Sequence, residues 1–128
     1  MKVQISLIYA AVLAIIFVAL SVRVIKHRFG TQVVFGDGGH HNLSMAIRTH
    51  ANFAEYIPLA LILLMGVELH SYPSVVVHAL GVVLVLGRVG HAVGLVTKGG
   101  AGAGRPIGAV ATLLSMVTSA ILILIRSF

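Results

Sequence analysis

Four long apolar runs, at about residues 3–25, 44–68, 74–96 and 106–126, take up most of this 128-residue chain. Crossing the hydrocarbon core of a bilayer takes about 20 residues of helix, so four crossings need about 80 positions and leave about 50 for three short loops and two ends. The sequence therefore has the size of a bare four-helix membrane bundle. Hydrophobic residues make up 59% of it and charged residues 9%, whereas soluble domains are about a quarter charged, which excludes a water-soluble globule. The predicted fold is an all-α integral membrane protein, a four-transmembrane-helix bundle forming one domain over residues 1–128.

The formal charge of +6 does not point to nucleic acid. The Arg and Lys residues are too scattered to form a basic face, and the eight Phe and Tyr residues, with no Trp, are few for stacking on bases. Basic residues that flank membrane spans explain the charge better. Cysteine is absent, so any sulfur chemistry must come from a ligand.

The connections are read from their breakers. Residues 29–43 hold Gly36-Asp37-Gly38-Gly39-His40-His41-Asn42, a polar glycine stretch that favours a loop, and Ser44 is a plausible N-cap for the second span. His40 and His41 beside Asp37 offer metal-binding side chains, but adjacent residues on a glycine loop do not fix a tetrahedral site. Glu68 to Ser74 reads as a short turn, with Pro73 near the start of the third helix. Lys98 to Arg105 contains a glycine run that lacks the Gly-Lys-Ser/Thr of a phosphate loop and reads as a connector. Pro106 suits the first position of span four, and Gly90 with Gly94 makes a Gly-x-x-x-Gly step that permits close helix packing. Arg23, Lys26, Arg28 and Arg48 lie around the first loop and Lys98 and Arg105 at the third. Both loops are thus expected on the cytoplasmic side, with both termini non-cytoplasmic.

Ionisable residues inside a span are costly and mark function by default. Arg48, Asn52 and Glu55 fall at i, i+4 and i+7, one face of a helix. Arg88, His91 and Leu95 repeat the spacing in span three. At about 1.5 Å per residue both clusters fall in the cytoplasmic third of the bundle, and Arg23 joins them from span one. Three arginines against one glutamate leave positive charge for an anionic ligand with a carboxylate, while Glu55 and Asn52 suit an ammonium or amide. The alternative is a structural network in which Arg48 and Arg88 pair with Glu55. His50 points to another side of its helix, where a hydrogen bond at a subunit interface is expected.

The string Arg48-Thr-His-Ala-Asn52-Phe-Ala-Glu55-Tyr56-Ile-Pro58 resembles the signature of the MAPEG family, the membrane-associated proteins in eicosanoid and glutathione metabolism. Gly87-Arg88-Val-Gly-His91-Ala-Val-Gly94 is similar to the family's third-helix segment, Val22-Arg23-Val-Ile-Lys26 to the end of its first helix, and Val34-Phe-Gly-Asp37-Gly-Gly to the small bacterial branch. The resemblance implies a homotrimer in the bacterial inner membrane, with glutathione as co-substrate held between subunits near the cytoplasmic face. It implies that Arg48, Asn52, Glu55 and Tyr56 contact or orient the tripeptide, that His91 binds it from helix three, that Arg23 meets a carboxylate, and that Arg88 is the buried basic partner. The implied activity is a glutathione transferase or peroxidase acting on hydrophobic electrophiles or lipid hydroperoxides that arrive through the membrane lipids. Two positions depart from the pattern. Leu95 stands where family enzymes usually carry a tyrosine, and Gly108 where some carry the catalytic arginine, which leaves Arg105 as the one basic catalytic candidate. The competing readings are a catalytically weak glutathione- or lipid-binding protein and, third, a small four-helix exporter.

Overall fold

The computed structural model describes residues 3–97 and 101–128. Lys98, Gly99 and Gly100, which the sequence places in the third connection, lie outside the described residues. Four α-helices follow in order: α1 (Ile5–Thr31), α2 (His41–Leu69), α3 (Ser74–Thr97) and α4 (Gly104–Ser127). Each is long and apolar enough to cross a membrane. The start of α1, the end of α4 and the α2–α3 turn lie at one end of the bundle, and the α1–α2 loop, the end of α3 and the start of α4 at the other.

The helices overrun the apolar boundaries read from sequence. Helix α1 continues through Lys26, His27 and Arg28, since Lys and Arg propagate a helix well and those residues need water or headgroups rather than a break. It stops where Gln32 turns left-handed at φ 57°. Helix α2 starts at His41, not Ser44; His40 is its N-cap and gives no side-chain cap. The Ser44 N–H instead donates to the His40 carbonyl at 3.0 Å, the first bond of the helix. An Asx turn delivers the chain there, with the Gly39 N–H donating to the Asp37 carboxylate at 3.0 Å. That bond is the main reason the Asp37 carboxyl lies below its ordinary range. Helix α4 starts at Gly104, two residues before Pro106, which still falls in the first turn where a missing N–H leaves no bond unmade.

Helix α3 is the enclosed one. It buries ten residues to the three of α1, because α1 lies at the edge of the bundle with Leu7, Ile8, Ile15 and Val18 all more than half exposed, as suits a face turned to lipid. Leu13, Phe53, Ile57 and Leu84 form one core, and Leu64, Val67, Val77 and Leu80 a second nearer the termini.

Glu68 corrects the sequence reading, which left it in a turn. Its carboxylate reaches the start of α1 and accepts from the backbone N–H groups of Gln4 (2.9 Å), Ile5 (2.8 Å) and Ser6 (2.8 Å) and from the Ser6 hydroxyl. The first N–H groups of a helix have no partner within it, and an anion at that end also meets the positive pole of the helix dipole. Nearby, Arg126 donates to the His70 carbonyl at 3.1 Å and lies 4.5 Å over the Tyr72 ring, tying α4 to the α2–α3 turn.

Glu68→Ala strands three backbone donors, and is expected to lower unfolding stability in detergent by about 1–3 kcal/mol. Thermal unfolding followed by circular dichroism reads this; a midpoint equal to wild type would show that water replaces the carboxylate at no loss.

Candidate functional site

At the loop end of the bundle the chain encloses a cation. Arg88 is 1% exposed, and α3 carries it into the space beside α2. Its Nη2 donates to Asn52 Oδ1 at 2.6 Å and lies 3.2 Å from His91 Nδ1. Arginine has no acceptor, so Nδ1 must accept, which places the imidazole proton on Nε2. The guanidinium lies 5.6 Å from the Tyr56 ring centre and 5.9 Å from that of Phe53, within cation–π range. Its Nε is buried and bonds to nothing.

The carboxylate expected here faces elsewhere. Glu55 pairs with Arg48 at 3.7 Å, with the two side chains 54% and 62% exposed. The face at positions 48, 52 and 55 is therefore divided. Asn52 turns inward to Arg88, whereas Arg48 and Glu55 face out of the subunit. The structural alternative, with Arg88 bound to Glu55, is overturned in that detail: the partner of Arg88 is a neutral amide. Among the described residues, no carboxylate lies within ion-pair distance of Arg88.

A cavity of about 430 Å³ opens beside this group, lined by Asn52, His91, Arg105, Pro106 and Ala109. Residues from α2, α3 and α4 thus converge on it, and Arg105 reaches it from the first turn of α4. Arg23 does not line it. It is half-buried on α1, with a buried Nη1 that has no hydrogen-bond partner. Of the eight residues singled out in the sequence, Asn52, Tyr56, Arg88, His91 and Arg105 gather here, Arg48 and Glu55 pair outside, and Arg23 stands apart.

The two departures from the family pattern acquire physical reasons. Leu95, 3% exposed, packs one turn beyond His91 as a core residue. Gly108 is the point where α4 touches α3: a Cβ there would come 2.3 Å from the Gly87 carbonyl oxygen and 2.5 Å from the His91 amide nitrogen. No side chain fits, so α4 cannot present an arginine from that position. One Cβ at Gly94 would likewise meet the Arg105 amide nitrogen at 2.4 Å, so that contact seats the first turn of α4 against α3 and places Arg105 at the cavity.

Two residues read differently in the structure. His50 is bonded within the subunit, its Nε2 lying 3.0 Å from the Ser21 hydroxyl and its ring stacked on Phe17 at 4.7 Å. It therefore joins α1 to α2 within the subunit. Phe53 escaped notice as a site residue, since an apolar residue on an apolar helix carries no signal until the cation over it is located.

Gly108→Ala is expected to destabilise the fold by about 1–3 kcal/mol through overpacking. Gly90→Ala should be tolerated, because its Cβ would come no closer than 3.8 Å to the Gly104 carbonyl oxygen. Parallel thermal melts separate the two; equal midpoints would mean that α3 and α4 part freely.

The comparisons agree with this architecture. The MAPEG family model matches residues 6–125. The inner membrane protein YecN of Escherichia coli K12 is 38% identical over 88 residues, covering 69% of this chain and 67% of its own length. YecN of Escherichia coli O6:H1 matches to the same extent. No solved structure gives a significant match. With four membrane-spanning helices and a family match over nearly its whole length, this chain belongs to the MAPEG family.

Proposed function

We propose that this protein binds glutathione at the Asn52–His91–Arg105 cavity and joins its sulfur to hydrophobic electrophiles, or reduces lipid hydroperoxides to alcohol and water as a pair of glutathiones is oxidised to the disulfide, as a homotrimer of the bacterial inner membrane. The observation that carries this reading is Arg88, a buried guanidinium held by an amide and an imidazole. A buried charge lacking an opposite charge is expensive, and an anionic ligand nearby relieves it. Glutathione has two carboxylates, an ammonium and two amides, which match a cationic cavity edged by Asn52 and His91.

Arg105 supplies the chemistry. A guanidinium beside the sulfur favours the thiolate over the thiol. In conjugation the thiolate forms a carbon–sulfur bond to the acceptor while the leaving group departs with the bonding pair, for example as chloride. No metal or flavin enters the step. A groove of about 240 Å³ between α1 and α2, lined in part by Ala10, Ala14, Phe17, Phe53 and Pro58, offers an apolar acceptor a place on the bilayer face of the subunit. In this reading a neighbouring subunit completes the site at Arg48 and Glu55, which are exposed on the subunit surface, and Glu55 suits the ligand's ammonium. Basic residues crowd the loop end, which favours a cytoplasmic cavity with both termini outside.

A second reading is favoured by Leu95 and Gly108: the site retains glutathione with little turnover. Calorimetric titration of the protein in nanodiscs with glutathione is expected to show binding that Asn52→Ala weakens tenfold or more, since it removes the amide from Arg88. Arg105→Ala should lower turnover of a chloronitrobenzene acceptor on the order of a hundredfold while changing affinity far less. Loss of affinity in neither variant removes the site; full turnover in Arg105→Ala means another group activates the sulfur; binding without turnover in the wild type selects the second reading.

A further inference from the structure

The loop after α1 is tightly built and yet displays large apolar side chains. Arg28 Nη1 donates to the carbonyls of Val33 (3.3 Å), Val34 (3.1 Å) and Gly36 (3.0 Å). These bonds fold the chain back beside the last turn of the helix. The Gln32 amide donates to the Phe29 carbonyl at 2.8 Å, and Gly36, Gly38 and Gly39 take φ values of 64°, 56° and 79°, which complete the reversal. Phe35 is nonetheless 89% exposed, Phe29 74% and Val34 73%. Between α1 and the loop lies an apolar hollow of about 320 Å³, lined by Ile25, Arg28, Phe29, Gln32, Val33 and Val34.

Depth decides what surrounds these groups. Helix α1 has 27 residues, about 40 Å at 1.5 Å each, against about 30 Å of hydrocarbon. With Ile5 at one hydrocarbon edge, Arg23 falls about 27 Å along and Phe29 about 36 Å. Phe29 thus reaches the opposite headgroup layer. Because Arg28 holds residues 33–36 beside it, Val34 and Phe35 return to that same level instead of running into water. Lys26, His27 and Arg28 precede the loop, and its one acid, Asp37, is turned onto the Gly39 amide. The segment therefore combines apolar side chains with net positive charge at headgroup depth, which complements an anionic leaflet.

We propose that the α1–α2 loop is a preformed interfacial anchor for anionic phospholipid: Phe29, Val34 and Phe35 insert among the lipids, acyl segments fill the hollow, and Lys26 faces the phosphates while Arg28 holds the loop to the helix. This stands on loop geometry and helix length and is independent of any glutathione chemistry.

The chain has no tryptophan, so Phe35→Trp introduces a single indole at an exposed position. The full-length variant is reconstituted in vesicles of phosphatidylcholine alone and of phosphatidylcholine with phosphatidylglycerol. Lipids brominated near the headgroup end of their acyl chains are expected to quench most of the emission, aqueous acrylamide little of it, and phosphatidylglycerol to deepen the bromolipid quenching. Lys26→Ala in the same background should remove that last gain. Free quenching by acrylamide would place the loop in water and overturn the proposal. Protection from both quenchers would place it against a second copy of the chain and overturn it equally, and bromolipid quenching indifferent to phosphatidylglycerol would overturn the choice of anionic lipid.

Discussion

The direct contact of backbone on backbone between α3 and α4 is the constraint on which the cavity end depends. At Gly108 and Gly94 the two helices approach until there is no room for a methyl group. In a bilayer, helices gain little by hiding apolar surface from one another, and close van der Waals contact takes over that role. The consequence reaches beyond stability. Gly108 lies directly on the His91 backbone and Gly94 on that of Arg105, so the seam that joins the helices also sets the spacing between the imidazole of α3 and the guanidinium of α4.

That seam leaves no room for a side chain at position 108. An arginine at position 108 would need α4 to stand farther from α3. Here the helices close up, and the basic side chain that lines the cavity from α4 is Arg105. Leu95 fills core one turn beyond His91. The network inside is correspondingly spare: one guanidinium, one amide and one imidazole, with two aromatic rings beneath.

What the sequence disclosed follows from which signals are local. Four apolar runs of bilayer length announce four spans, and helical spacing puts Arg48 with Glu55 and Arg88 with His91. Helix ends were less legible. Once a helix leaves the hydrocarbon it can continue through polar residues, so α1 runs on to Thr31 and α2 begins at His41 where hydropathy alone gave shorter limits. Long-range partners were illegible for a different reason. Spacing along α2 cannot say that Asn52 turns inward while Glu55, three residues on, turns out, since that depends on where α3 crosses. Nor does anything near Glu68 reveal that it serves residues 4–6. Gly108 reads in sequence as a missing arginine, and only the helix crossing shows it as a point of contact.

The reach of Glu68 to the other end of its hairpin bears on how the chain is made. Residues 4–6 are made before residue 68, so until the second span is in place the opening turn of α1 has only water or headgroups to meet its amides. Final seating of that opening turn is thus tied to completion of the second span.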